Sequence, residues 1–193
     1  MLRRFYNWTM SLAGHRNAVP ALATVSFIES SIFPIPPDVM LIPMVLADRT
    51  KAFRLAFICT VSSVLGGLLG YGIGVFLFEE IGRPLLKFYG FAPMFAEFQI
   101  KYNDWGAWAV FFGGVSPFPY KVITILSGMT ALDIAIFVAA SIVARGLRFF
   151  LVAGLLWKFG EPIRNLIEKY MGLLFILISI LLVGGFIAIK FFL

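Results

Sequence analysis

Five ionisable side chains fall inside otherwise apolar stretches of this 193-residue chain: Glu29, Asp38, Lys121, Arg145 and Arg148. On insertion scales each costs roughly 2.5 to 3.5 kcal/mol at the centre of a membrane helix, so five left unpaired would cost more than about 10 kcal/mol. They are therefore expected to share one polar cavity. Their chemistry is charge handling: carboxylates exchange protons, an arginine presents a planar fork matched to phosphate oxygens, and a lysine presents a point charge. Hydroxyls accompany them. Ser26 stands one turn before Glu29, Ser30 and Ser31 follow it, and Ser116 precedes Lys121. Ser141, Arg145 and Arg148 are spaced i, i+4, i+7, along one helix face. The alternative is a set of buried pairs that only hold the helices together.

The surroundings of these residues are set by composition. Apolar side chains make up 61% of the chain and charged ones 13%, where soluble domains average about 25% charged. Windows over 52–78, 134–157 and 171–193 are each long enough for the roughly 20 residues that cross about 30 Å of hydrocarbon, and are expected to be spanning helices. Residues 1–17 contain Arg3, Arg4, Asn7, His15 and Arg16 and lack the apolar core of a cleavable signal. They read as an interfacial amphipathic helix with Phe5, Trp8 and Leu12 on one face. The net charge of +6 fits anionic headgroups and the positive-inside rule, not nucleic acid, because no basic patch lies on a soluble reading domain.

Two further apolar stretches, 18–47 and 105–131, are interrupted by proline. The first contains Pro34, Pro36 and Pro37 directly before Asp38, with Pro43 beyond; the second contains Pro117 and Pro119 before Lys121. Proline removes a backbone donor and pushes the preceding residue out of the helical region, so Pro-x-Pro ends a helix. Non-helical backbone is tolerated at membrane depth only when packed on protein or lining a wet cavity. Both stretches are expected to be re-entrant hairpins; two proline-kinked spanning helices are the alternative. An offset of 83 places Pro34 on Pro117, Pro36 on Pro119 and Asp38 on Lys121, a weak internal repeat. If each hairpin returns to its own side before one helix crosses, the second hairpin enters from the opposite face, as an inverted repeat.

The segment 79–104 reads as an amphipathic connector at the membrane surface. On this topology nine basic residues (Arg3, Arg4, Arg16, Arg49, Lys51, Arg54, Lys158, Arg164, Lys169) face four (Arg83, Lys87, Lys101, Lys190), which predicts a cytoplasmic N-terminus and an outside C-terminus in a bacterial inner membrane. A five-span topology gives the same count. Gly66, Gly70 and Gly74 have the spacing of close helix packing and not of a phosphate-cradling loop, which requires a Lys-Ser/Thr ending. The single cysteine, Cys59, and single histidine, His15, leave no disulfide, no metal site and no nucleophilic constellation, so no cofactor and no enzyme activity are expected. Glu29 and Asp38 as the acid/base pair of an intramembrane hydrolase is the lesser alternative.

The segments 27–38, 66–74 with Gly82-Arg83, 114–121 and 144–149 together resemble the DedA family of membrane proteins, which shares its domain with eukaryotic vacuole-membrane and Golgi SNARE-associated proteins. The resemblance is closest to the YqaA-like branch and covers 18–158. It implies two facing re-entrant hairpins, with acidic residues in the first matched by Glu29 and Asp38 at a shorter spacing, and basic residues in the second matched by Lys121. Residues 113–115 lack the family's other arginine, for which Arg145 and Arg148 are the candidates. It also implies transport of lipid phosphates such as the undecaprenyl carrier, or phospholipid scrambling, with proton dependence.

The expectation is thus an all-helical integral membrane protein: an interfacial helix over 1–17, a DedA-like domain over 18–158 and a terminal span over 171–193. It moves an anionic lipid or lipid phosphate as flippase or scramblase, with Glu29 and Asp38 as proton-coupling candidates and Lys121, Arg145 and Arg148 as phosphate-binding candidates. Three cations against two carboxylates leave one positive charge for a monoanionic headgroup. A proton-coupled ion or small-molecule transporter and a structural scaffold are the alternatives; substrate, direction and oligomeric state stay open. With Cys59 replaced by alanine, single cysteines introduced at Arg16 and at Thr50 are expected to be labelled from the same side of the membrane. Labelling from opposite faces would establish a spanning first segment.

Overall fold

Proline and glycine punctuation divides the chain into short and long helices. The computed structural model describes residues 17–32, 36–116, 118–160 and Pro162. The expected interfacial helix over 1–16, the expected span over 171–193, and Pro34 and Pro117 lie outside them. Every regular element among the described residues is helical: α1 (Ala18–Ser31), α2 (Asp38–Ala47), α3 (Ala52–Leu77), α4 (Arg83–Phe88), α5 (Ala92–Asp104), α6 (Gly106–Val115), α7 (Tyr120–Met129) and α8 (Ile134–Phe159). A short 3-10 turn, Arg49–Lys51, precedes α3, and a π turn, Phe78–Gly82, follows it.

Two of these helices are long and apolar enough to cross a membrane: the continuous run Arg49–Phe88, which contains α3, and α8. At 1.5 Å per residue the 40-residue run reaches about 60 Å, twice the hydrocarbon thickness. Its uncharged, apolar stretch lies within α3, because Glu79, Glu80 and Arg83 lie beyond it. The four arms α1, α2, α6 and α7 have 14, 10, 10 and 10 residues, about 15 to 21 Å each, and all fall short of a crossing. Pro37 and Pro119 stand at the N-caps of α2 and α7, where a fixed φ is compatible with starting a helix and the missing N–H costs nothing. Asp133 starts α8 by accepting hydrogen bonds from the backbone N–H groups of Ala135 and Ile136 at 2.9 and 3.0 Å, a side-chain N-cap.

The direction of each element follows from its contacts. Ser26 donates to the Cys59 carbonyl and Ser30 bonds Ser63, both at a separation of 33 residues, so α1 and α3 run side by side in the same direction. The chain over 32–51 must therefore return to the end from which α1 started, and α2 makes that return while packing Met40, Leu41, Met44 and Val45 among Leu22, Leu55, Phe149 and Leu156. In the second half, Gly106 meets Leu132 and Gly114 meets Ala144, so α6 runs parallel to α8 and α7 makes the return. The long helices are antiparallel: Phe53 packs on Phe150 and Trp157, whereas Tyr71 packs on Phe137.

The two halves thus repeat as short arm, returning arm, long helix. Asp38 and Tyr120 open the returning arms and Ala52 and Ile134 open the 26-residue helices, each pair 82 residues apart. This is one less than the proline offset, because Pro36-Pro37 precedes α2 where Pro119 alone precedes α7. Asp38 consequently corresponds to Tyr120 and not to Lys121 as the proline alignment suggests.

Beside its apolar clusters the bundle buries hydroxyls and a charge, and it leaves large apolar faces outside. Ser26, Ser30, Ser63, Thr124, Ser127, Ser141 and Arg145 are buried, while Phe53, Phe57, Val61, Leu65 and Leu69 form an exposed stripe along α3 and Val143, Leu147, Leu151 and Leu155 another along α8. Contiguous apolar faces of this extent mark a non-aqueous neighbour. At the rim, Asp48 accepts from Thr50 and pairs with Lys51 at 2.8 Å. The Lys51 ammonium and Thr50 hydroxyl hold its carboxyl at about 2, below the ordinary 3.8. What stabilisation this gives the turn is present above the ordinary carboxylate range and lost as pH falls toward 2.

The glycines of α3 set how closely the halves approach. A Cβ at Gly66 would run into the Phe27 carbonyl of α1, and one at Gly74 into the Ile125 carbonyl of α7, whereas one at Gly72 meets nothing within 4 Å. Gly74→Ala and Gly66→Ala are each expected to destabilise the detergent-solubilised protein by about 1 to 3 kcal/mol through overpacking against backbone. Gly72→Ala should be neutral or stabilise by about 0.5 to 1 kcal/mol through helix propensity. Thermal unfolding followed by circular dichroism tests this; equal effects at all three positions would refute close packing through the glycine line.

Candidate functional site

The two breaks come together midway along the long helices. Ser63 and Arg145 are each the twelfth residue of a 26-residue helix, and Arg145 Nε donates to Ser63 Oγ at 2.7 Å. Residues related by the 82-residue repeat thus touch each other, which locates the pseudo-twofold axis between the two halves at this contact. About 39 Å of helix places the pair roughly 17 Å from the start of each long helix.

Arg145 is surrounded on every side. Its Nη2 pairs with Glu29 Oε2 at 2.9 Å, with 2% of the arginine side chain and 14% of the glutamate exposed. The guanidinium carbon lies 4.8 Å from the Tyr120 ring centroid and 4.7 Å from that of Phe149, within cation–π range. Ser30 ties the group together, bonding Ser63 Oγ at 2.6 Å and donating to Glu29 Oε2 at 3.2 Å. Tyr120 is fixed in turn by donating to Ser141 Oγ. Removing a charge so enclosed from water is tolerable because Nε and Nη2 both have partners, one of them a carboxylate, and two aromatic rings lie within cation–π range.

Arg148 lies one turn further along α8 and is held more loosely. Nη2 pairs with Asp38 Oδ2 at 2.6 Å, with side chains 23% and 19% exposed, and Nη1 donates to the Ser116 carbonyl at 2.9 Å. Arg148 thereby joins the start of α2 to the end of α6. Asp38 Oδ1 is buried with no hydrogen-bond partner among the described residues, an acceptor of the kind native structures rarely leave unpaired unless it has a use. Lys121, half-buried on α7, donates from Nζ to the Ile32 carbonyl at 3.3 Å, at the end of α1. Thr124 Oγ1 reaches the Ser30 carbonyl at 3.1 Å beside it.

The five charges therefore divide into two ion pairs and a separate lysine, which is more ordered than a single shared cavity. Ser30 and Ser141 belong to the Arg145 cluster and Ser116 supplies a carbonyl to Arg148. Ser26 bonds the Cys59 carbonyl at 2.8 Å and Ser31 bonds back to its own helix at Phe27 and Ile28, so both serve packing. Ser63, Tyr120, Phe149 and Thr124 were not singled out by sequence reading. An 82-residue offset from Arg145 leads to Ser63, but the other three carry no signal apart from their position near the charges.

No family model and no solved structure matches the chain. An uncharacterized protein of Haemophilus influenzae is 41% identical over 167 residues, spanning 84% of this chain and 86% of the relative. The uncharacterized protein HI0703 homolog of Histophilus somni is 38% identical over 179 residues, spanning 91% of this chain and 93% of the relative. The chain belongs to the family of these two proteins.

Breaking a buried pair leaves an uncompensated charge and costs about 3 to 5 kcal/mol, whereas removing both partners together can be close to neutral. Arg145→Met alone is expected to destabilise by that amount, and Arg145→Met combined with Glu29→Gln to recover much of it. A double-mutant cycle on thermal unfolding in detergent measures the coupling. Additive losses would show that the two side chains do not act as a pair.

Proposed function

We propose that the protein is an integral membrane transporter, flippase or scramblase of the DedA type, which moves an anionic lipid or lipid phosphate across the bilayer. The observation that carries this reading is the pair of arginine–carboxylate contacts midway along helices of membrane-spanning length, where two broken helical segments meet. Intramembrane charges are expensive and normally mark a substrate or ion path. In this reading the two arm pairs are re-entrant hairpins that enter from opposite faces, α3 and α8 span the bilayer, and the N-terminal side is cytoplasmic. The short arms, the parallel pairing of each first arm with the following long helix, and the antiparallel long helices support it. They match the general design in which broken helices of an inverted repeat meet near the midplane.

Chemically, Arg148 and Lys121 offer a fork and a point charge beside the first break, matched to phosphate oxygens. The apolar outer faces of α3 and α8 would leave acyl chains in the bilayer while the headgroup passes between the tips. The unpartnered oxygen of Asp38 favours a second reading, a proton-coupled ion or small-molecule transporter, because an orphaned carboxylate oxygen is a place for a proton or cation. Both readings use Asp38.

Reconstituted in liposomes, the protein is expected to translocate a labelled phosphate-bearing lipid and to lose at least about tenfold in rate with Arg148→Ala or Lys121→Ala, equivalent to 1.4 kcal/mol or more. Asp38→Asn is expected to abolish transport or remove its dependence on pH while the protein stays folded and inserted. Dissipation of an ion gradient without lipid movement would favour the second reading. Neither activity in well-folded protein would leave a scaffold.

A further inference from the structure

We infer that the two ion pairs do different work: Glu29–Arg145 is a fixed central joint, and Asp38–Arg148 is an exchangeable latch in which the Asp38 carboxylate occupies the position of a substrate phosphate. This deepens the lipid-phosphate reading and rests on it. The arginines are alike in type and only three residues apart, so their surroundings decide their roles.

Arg145 is enclosed: Ser63 and Glu29 take Nε and Nη2, the Tyr120 and Phe149 ring centroids lie 4.8 and 4.7 Å from the guanidinium carbon, and the side chain is 2% exposed. An incoming phosphate would have to displace an aromatic ring or the serine network. Moreover, Arg145 sits where the two long helices cross on the pseudo-twofold axis, so a change there opens the whole bundle. The group is a positioning residue, and its pair with Glu29 stays closed.

Arg148 presents the opposite case. Its side chain is an order of magnitude more exposed, at 23%, and its contact with Asp38 uses one carboxylate oxygen while the other goes unbonded. A bidentate arginine–carboxylate pair would satisfy both oxygens and bind more strongly. The observed pair forgoes that, because Nη1 is turned to the Ser116 carbonyl at 2.9 Å. A phosphate monoester has three terminal oxygens and can accept from both guanidinium edges, and Lys121, whose ammonium has the Ile32 carbonyl as its hydrogen-bond partner among the described residues, lies at the other end of the same break. Exchange of Asp38 for phosphate releases α2 from α8 at its N-terminal end while the Glu29–Arg145 joint keeps α1 on α8. The latch therefore frees one arm of the first broken segment and not the other. Charge is conserved at Arg148: one anion replaces another, and the displaced carboxylate becomes available to take up a proton.

Competition makes the inference measurable. If Asp38 holds Arg148 about nine-tenths of the time, only a tenth of molecules are competent for phosphate, and removing the carboxylate tightens apparent binding roughly tenfold. The probe is dodecyl phosphate added to full-length protein in maltoside micelles and followed by its phosphorus NMR shift, with dodecanol displacement as the uncharged control. Asp38→Asn is expected to bind dodecyl phosphate roughly tenfold more tightly than the unmodified protein. Arg148→Ala should lose binding, and Arg148→Lys should fall between.

Glu29→Gln serves as the comparison. It is expected to lower the unfolding temperature without tightening the phosphate, since its partner has no room for one. Should Glu29→Gln tighten binding as much as Asp38→Asn, or Asp38→Asn leave it unchanged or weaker, the division into joint and latch is wrong even if the unmodified protein binds dodecyl phosphate and moves lipid. If the unmodified protein and Asp38→Asn both bind no phosphate and no lipid is moved, the lipid-phosphate reading fails and the latch with it. Circular dichroism of each variant separates lost binding from lost fold, and for any variant that does not fold, the Arg148→Lys intermediate remains as the deciding measurement.

Discussion

The rest of the fold is arranged around one guanidinium. Arg145 is buried midway along α8, where an uncompensated charge would cost several kcal/mol even after relaxation. Four elements supply something to offset that cost: α1 gives Glu29 and Ser30, α3 gives Ser63, α7 gives Tyr120, and α8 gives Phe149 and, through Tyr120, Ser141. The short arms α1 and α7 are held at the centre of the bundle because their polar groups have partners nowhere else. Glycines at positions 66, 70 and 74 make the approach sterically allowed by letting the backbones of α1 and α7 lie against α3. The charge and the glycine line are therefore two halves of one constraint.

In a bilayer, the setting the proposed function requires, apolar packing between helices gains little, because lipid tails are as apolar as leucine. Beside the apolar clusters around Leu41 and Tyr120, buried serine and threonine hydroxyls join the central helices. Ser26, Ser30 and Thr124 each reach a carbonyl or hydroxyl on a neighbouring element, and such contacts average about 0.6 kcal/mol. Individually these are small. They line one seam at the centre, and Arg148 and Lys121 lie partly open beside it.

The two arginines of α8 differ in their surroundings. Two arginines one turn apart on the same helix differ in the number of groups around them and in how well their counter-ions are satisfied. A carboxylate left with a buried, unbonded oxygen is under-used by its own partner, which suits a group that must let go. The pseudo-twofold does not extend to this chemistry: Arg145 corresponds to Ser63, and Asp38 to Tyr120. The symmetric frame is thus decorated asymmetrically, with carboxylates in one half and cations in the other.

Hydropathy and proline chemistry act locally, so the sequence by itself determined the helical character, the two long apolar helices and the ends of the short arms near Pro36, Pro37 and Pro119. The cost of burying charge also identified Glu29, Asp38, Lys121, Arg145 and Arg148 as the residues needing explanation, and a proline match anticipated the repeat to within one residue. Which charge meets which was not in the sequence, because 116 residues separate Glu29 from Arg145 and 110 separate Asp38 from Arg148. Ser63, Tyr120 and Phe149 gave no local signal, since a serine or an aromatic in an apolar window looks the same whether it faces lipid or a guanidinium. Only the antiparallel crossing of α3 and α8 brings position 63 to position 145. Contact across that crossing depends on direction and rotation about the helix axis, and these are fixed by packing among elements far apart in the chain.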